Sequence, residues 1–194
     1  MKGNYVGVSL PRIDARGKVT GEAAYAGDLT MEGQLHMKML FAGRPHARVR
    51  AVHTTEALAI PGVLLILTAA DVPVNEYGLQ YPDQPVLCGP GGAKFGTDVV
   101  RFVGDQVAAV VAESETIAEE ALALLRVDYE DLPVVVDPRD ALRPDAPRLH
   151  PAYAGASHHP ELVFEGNLVS RHRIRRGDVE TALAHADVIV ESEY

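Results

Sequence analysis

Apolar and polar positions change period several times along this chain, and the changes mark its elements. From Val107 to Ala112 every side chain is apolar. Such a run is long enough for a buried strand and too short for a helix. A central strand is predicted there, preceded by a strand over Val99 to Val103 and a tight Gly104-Asp105 turn with Gly104 at positive φ. Ile117, Ala118, Ala121, Leu122 and Leu125 then recur at three- and four-residue spacing, which predicts a helix with one buried face. Ser114 is placed to cap it, and Thr116 with Glu119 forms an alternative capping box. Val127 and Tyr129 alternate with Arg126, Asp128 and Glu130, the period of a half-exposed strand. After the Leu132-Pro133 turn comes another apolar run, Val134 to Val136. The unit reads strand, helix, strand, strand.

Upstream, residues 1 to 33 are rich in glycine and show no sustained period, so an extended, loop-rich lead-in is expected. Between Gln34 and Phe41 the pattern alternates. Leu35, Met37, Met39 and Phe41 share one face, read as a core face, while Gln34, His36 and Lys38 share the other. Arg48 to His53 gives a second strand. Thr54 or Thr55 can cap a short helix ending at Pro61-Gly62, and Val63 to Leu67 is a fully apolar strand. Thr68 with Asp71 fits a capping box for one helical turn before Pro73.

Residues 73 to 98 combine prolines and glycines with no apolar period, and a connection this long is uncommon inside a compact domain. It is expected to be mobile or to pack on a neighbouring domain. Its Gly91-Gly92-Ala93-Lys94-Phe95-Gly96-Thr97 segment lacks the Lys-Ser/Thr pair of a phosphate-cradling loop and the glycine spacing of a dinucleotide site. Downstream, Asp137-Pro138 starts a short helix through Leu142, and residues 143 to 166 read as an excursion across a surface. A strand is expected over Leu168 to Ile174, a helix capped by Asp178 through Ala186, and a further strand from Asp187 to Tyr194.

With 194 residues, 47% of them hydrophobic, the chain can bury a real core. A net charge of -9, only 6% aromatic residues and no Trp argue against nucleic acid as a partner. The single cysteine, Cys88, can make no internal disulfide and cannot supply the four thiolates that an iron-sulfur cluster usually takes. No apolar stretch is long enough to cross a bilayer and the N-terminus has no apolar signal region, so no membrane partner and a cytoplasmic location are expected.

Candidate chemistry is sparse. His158-His159 are the only adjacent histidines, and they lie in a Pro/Gly-rich stretch without metal-site spacing. Arg171, Arg173, Arg175 and Arg176 form a cationic run that reads as a solvated face or one side of a domain contact. Asp128, Glu130 and Asp131 read as rim carboxylates rather than an acid/base pair. The residues alone assign no catalytic, cofactor-binding or metal-ligating side chain.

Taken together, several short motifs carry a resemblance. Pro11-Arg12-Ile13-Asp14, Lys18-Val19-Thr20-Gly21-Glu22-Ala23, Tyr25 and Asp28 resemble the start of the molybdenum-binding large subunit of the xanthine dehydrogenase and aldehyde oxidase family. Pro45-His46-Ala47-Arg48-Val49, Pro61-Gly62-Val63, Val103-Gly104-Asp105-Gln106-Val107-Ala108 and Asp128-Tyr129-Glu130-Asp131-Leu132-Pro133 follow in family order. Gly166-Asn167 and Gly177-Asp178-Val179 complete the series.

The resemblance implies an α+β fold, the α/β hammerhead with a mixed sheet, over residues 15–135, after an extended lead-in over 1–14. Residues 136–194 would be a C-terminal extension that begins the following molybdenum-binding domain. It further implies a molybdenum hydroxylase that oxidises a purine, aldehyde or heterocycle with oxygen from water. A molybdenum-pterin centre, iron-sulfur clusters and FAD or another acceptor would belong to the complete enzyme, and none of these cofactors to this chain. In the family the pterin loops and the base glutamate lie beyond the point matching Tyr194, so the implied role here is structural. The partners implied are the remainder of the large subunit and the iron-sulfur and flavin subunits or domains. A free-standing scaffold or binding module with the hammerhead fold is the alternative.

Overall fold

The computed structural model describes residues 6–78, 82–92, 96–151, 162–170, 174 and 176–192. Six strands build its centre: β1 (His36–Phe41), β2 (Ala47–His53), β3 (Val63–Leu67), β4 (Val99–Val100), β5 (Gln106–Ala112) and β6 (Arg126–Asp131). They form two three-stranded sheets, ordered β1-β5-β3 and β4-β2-β6. Helices α2 (Thr55–Leu58) and α3 (Glu115–Leu124) belong to the same body. The fold is α+β, as expected, and β5 is the central strand of its sheet. Every pairing among these six strands is antiparallel. The β5-α3-β6 unit adds no parallel pair, because β5 and β6 belong to different sheets.

The apolar period of α3 does what its spacing requires. Ala118 and Ala121 pack with Ala108, Val110 and Ala112 of β5 and with Ala57 of α2 in one core cluster. Alanine on the helix facing short apolar side chains lets the helix lie close to the sheet. The Ser114 hydroxyl accepts from the Ile117 amide at 3.3 Å, so it is Ser114 that caps the helix. A second cluster, Ala42, Ala47, Val49, Cys88, Val100 and Val107, joins the two sheets.

The faces of β1 are opposite to the sequence reading. Lys38 pairs with Glu115 and, at 2.9 Å, with Glu119 of α3, and Leu40 packs into the helix-side cluster. The neighbouring carboxylates, Glu115 before Glu119, hold the Lys38 ammonium above its ordinary pKa. Leu35, Met37 and Phe41 are exposed instead of forming the core. Alternation tells that two faces differ, but not which one a helix will cover.

Other expectations need correction. Val134 to Val136 forms no strand, and Val136 is 87% exposed, because the Leu132-Pro133 segment leaves β6 to bond elsewhere. The strand over Val99 to Val103 shrinks to two residues, since Arg101 and Phe102 give their amides to the Asp105 carboxylate at 2.5 and 3.3 Å. The lead-in contains a short helix, α1 (Ala15–Thr20), which buries no residue and so leaves no amphipathic signal. After α4 (Pro138–Ala141), strands β7 (Leu162–Glu165) and β8 (Leu168–Ser170) pair around Gly166-Asn167, and α5 (Val179–Ala184) follows Asp178. Residues 187–192 form no strand; a strand needs a partner for its backbone groups, and none of the described residues supplies one.

Residues 73 to 98 are anchored where they are described. Leu87 and Cys88 are buried, and the Cys88 amide donates to the Gln106 carbonyl at 2.6 Å. An apolar period was absent because scattered buried residues, Asn75, Leu87, Cys88 and Thr97, rather than one face, do the anchoring.

The turn before β5 exists, but Gly104 does not sit at positive φ. A Cβ there would come within 2.5 Å of Phe102 Cε2, on a ring that is exposed and can rotate away. Gly104→Val is therefore expected to cost less than about 1 kcal/mol, read as a small shift of the urea midpoint. A loss several times larger would return the turn to a backbone requirement for glycine.

Candidate functional site

A cavity of about 250 Å³ opens among the described residues. It lies where His46 and Arg48 at the start of β2, Val99 of β4 and the Leu132-Pro133 segment meet the 75–97 stretch and residues 147–151. The backbone sets its walls. Leu132 donates its amide to the His46 carbonyl at 3.0 Å, and the His46 Nδ1 lies 2.6 Å from the Pro133 carbonyl. A carbonyl only accepts, so Nδ1 carries the proton of that bond.

Asn75 holds the opposite wall. Its Nδ2 donates to the Leu87 carbonyl at 2.7 Å and its Oδ1 accepts from the Leu87 amide at 2.9 Å. Asn167 fixes the third wall in the same way: its Oδ1 accepts from the Leu149 amide at 2.9 Å, and its Nδ2 donates to the carbonyls of Ala141 and Pro147, each at 3.0 Å. The Arg101 Nε donates to the Leu149 carbonyl at 2.6 Å, and one terminal nitrogen donates to the Val99 carbonyl at 3.0 Å. Arg48 is paired with Asp98.

These guanidinium groups close the walls by bonding to the protein's own acceptors. Burial, and then the Arg101 charge, lower the pKa of His150, which favours a neutral imidazole. The rest of the lining mixes prolines and aliphatics, Pro82, Pro85, Leu132, Pro147, Leu149 and Pro151, with the polar side chains of Glu76, Asp83, Gln84, Thr97 and Arg148. No nucleophile stands beside a base in it, and among the described residues no three His, Cys, Asp or Glu side chains converge as a ligand set.

Of the residues singled out from sequence, those that are described, Asp128, Glu130, Asp131 and Arg176, do not line this cavity. His158-His159 and Arg171, Arg173 and Arg175 lie outside the described residues, and Arg176 is exposed. Asp128 bonds His53 at 2.8 Å, Glu130 pairs with Arg50, and Asp131 approaches Arg44 at 3.5 Å, so each carboxylate has its own partner from β2 or the turn before it. Gly91 and Gly92 serve close packing: added Cβ atoms would meet Ala70 Cβ at 2.8 Å and the Thr97 hydroxyl. The sequence reading missed Asn75, Arg101 and His150. Asn167 carried a signal, as part of the Gly166-Asn167 motif, without showing what it would bond.

Cys88 is fully buried, with Sγ 3.8 Å from the Val99 carbonyl. Burial, followed by the Asp105 charge, pushes its thiol pKa up to about 12. At neutral pH it is a thiol, neither a nucleophile nor a ready ligand. Native protein is expected to resist iodoacetamide and to react after unfolding in urea. Because the folded pKa lies above the unfolded one, this group's contribution is whole below about pH 8.5 and fades as the pH rises towards 12. Fast alkylation of the native chain would overturn the buried placement.

A model of the aldehyde oxidase and xanthine dehydrogenase a/b hammerhead domain matches residues 20–133, more than half of the chain. The chain belongs to this family. It is 42% identical over 187 residues to a probable xanthine dehydrogenase subunit of Bacillus subtilis (strain 168), covering 96% of this chain and 22% of that protein. It is 31% identical over 195 residues to the xanthine dehydrogenase molybdenum-binding subunit of Escherichia coli O157:H7, covering 94% of this chain and 23% of that one. Among solved structures, quinoline 2-oxidoreductase from Pseudomonas putida 86 superposes with a TM-score of 0.71 at 33% identity, over 95% of this chain and 22% of the other. This member of the family thus spans about a fifth of the length of the curated relatives it matches. The hammerhead fold implied by the motifs is the fold found.

The described residues do not fit a molybdenum or iron-sulfur site. The chain's one thiol is buried and protonated, no three-ligand group is formed among the described residues, and the cavity arginines Arg48 and Arg101 are bonded to the protein itself. No helix among them is long and apolar enough to cross a membrane.

Proposed function

We propose that this chain is the N-terminal, structural portion of a molybdenum hydroxylase large subunit. The observation that carries the reading is the hammerhead match over residues 20–133, in a chain that covers only 22% of a relative it matches along 96% of its own length. In this reading residues 15–135 are the hammerhead domain, residues 1–14 lead into it, and residues 136–194 begin the molybdenum-binding domain. The complete cytoplasmic enzyme carries a molybdenum-pterin centre, iron-sulfur clusters and FAD or another acceptor, and oxidises a purine, aldehyde or heterocycle. No step of that chemistry is assigned to residues of this chain. Their part is to form a packed body, with β5 and α3 at its centre, on which the rest of the subunit and its redox partners assemble.

Metal analysis by mass spectrometry and dye-coupled assays with xanthine and aldehydes test the reading. The complete assembly should contain stoichiometric molybdenum and turn over. The 194-residue chain alone should contain none and be silent. Bound molybdenum together with turnover by this chain alone would overturn the proposal. A complete gene product that contains this chain but no molybdenum would favour the free-standing scaffold.

A further inference from the structure

Residues 147–151 form one wall of the cavity, at the end of a proline-rich strap that begins at residue 143. Pro144, Pro147 and Pro151 have no amide proton to give, so side chains from elsewhere fasten the segment. Asn167 ties it to the β7-β8 turn through the Leu149 amide and the Ala141 and Pro147 carbonyls. The Arg101 Nε ties it to the sheets through the Leu149 carbonyl. None of these bonds involves a group that titrates between about pH 5 and 8.

The next residue does titrate there. His150 is half-buried in the cavity wall, and the charged and titratable side chains that share the lining come from every element around it. His46 and Arg48 come from the start of β2, Arg101 from the segment between β4 and β5, Glu76 and Asp83 from the 75–97 stretch, and Arg148 from the strap itself. Asp98 pairs with Arg48, and the Asp105 carboxylate is bonded to the Arg101 amide. With Arg48 matched by Asp98, the Arg101 and Arg148 charges balance those of Glu76 and Asp83. A proton on His150 tips the lining to positive. Burial first, then the Arg101 charge, oppose that proton against the pull of Asp83, and His46 adds to the opposition. The guanidinium that holds the strap at Leu149 therefore repels an imidazolium on the neighbouring residue.

We propose that residues 143–151 are an acid-released strap, closed on the cavity at neutral pH and detached from the sheets when His150 takes up a proton. The sign follows from linkage. His150 binds a proton less readily in the closed form than in the released one, so the released form holds more protons and acidification favours it. Release begins as the pH falls through the ordinary histidine value of about 6.5, and one proton can raise the released fraction by at most about tenfold between about pH 7.5 and 5.5. The carboxylates of the lining stay ionised over that window. The device concerns this chain's own residues and stands apart from its reading as part of a larger subunit.

Tryptic cleavage after Arg148 of the full chain, normalised at each pH to a free peptide of the same sequence, reports the released fraction. Between about pH 7.5 and 5.5 the normalised rate should rise by about threefold or more in the parent, while His150→Gln, uncharged throughout, stays level. A smaller rise in the parent overturns the proposal, and so does a rise of about threefold or more in the variant. Rapid cleavage of the variant at both pH values would mean that glutamine loosens the strap by itself, and the His150 ring titration of the parent, followed by NMR, then decides. A midpoint below that of the free peptide supports the strap; a midpoint at or above it overturns the proposal.

Discussion

Gly62→Val is expected to destabilise the protein by about 2 to 4 kcal/mol, through two effects that act together. Gly62 has φ +90°, where a β-branched residue is strained whatever its surroundings. A Cβ there would also come within 2.8 Å of Ile117 Cδ1, a side chain packed against the helix-side core. Ile117 is partly buried against that core, whereas the Phe102 ring beside Gly104 is exposed. The position matters to both neighbours of the turn: the Gly62 carbonyl accepts from the Glu113 amide at 2.9 Å, where β5 gives way to α3. Paired urea melts of Gly62→Val and Gly104→Val provide the measurement. A Gly62→Val midpoint no lower than that of Gly104→Val would refute the assignment of strain to this turn.

The contrast between these glycines shows what was legible in the residues. Both stand in motifs that resemble the family; Gly104 was read as part of a tight turn and Gly62 as the end of a short helix. Only the folded structure tells that one is left-handed against a core isoleucine and the other is not. Elements with a strong period were read well: β5, α3 and β6 fall within a residue or two of their sequence-based limits, because their periodicity reports burial directly. Elements without a buried face, such as α1, carried no such signal. Val188, Ile189 and Val190 show the opposite failure, strand-forming side chains with no described partner strand. At the site, the limit was long-range pairing. Asn75 with Leu87, Arg101 with Leu149 and Asn167 with Ala141 join residues distant in sequence through side chain to backbone bonds. No spacing rule encodes these bonds.

Asn75→Ala is expected to release the 82–92 stretch from the body of the protein. Asn75 is 4% exposed and makes both of its bonds to Leu87, which is itself buried. Alanine would leave the Leu87 amide and carbonyl unpaired away from water, at about 1 to 3 kcal/mol for each group. The chain can escape the full penalty only by opening, since water then replaces the lost partner. The expected outcome is a loss of about 2 to 4 kcal/mol together with proteolytic cleavage in this stretch at least tenfold faster. Asn75→Asp separates the two bonds. A carboxylate can still accept from the Leu87 amide, but it faces the Leu87 carbonyl with no proton to donate. Burial and that carbonyl raise the pKa of the introduced acid, so its protonated form, which restores the donor, is favoured as the pH falls. The Asp variant should therefore be nearly as fragile as the Ala variant at neutral pH and recover towards about pH 4, while the Ala variant shows no such recovery. Cleavage rates for the two variants at the two pH values decide it. Equal, parent-like rates at neutral pH would show that Leu87 and Cys88 hold the stretch by burial alone.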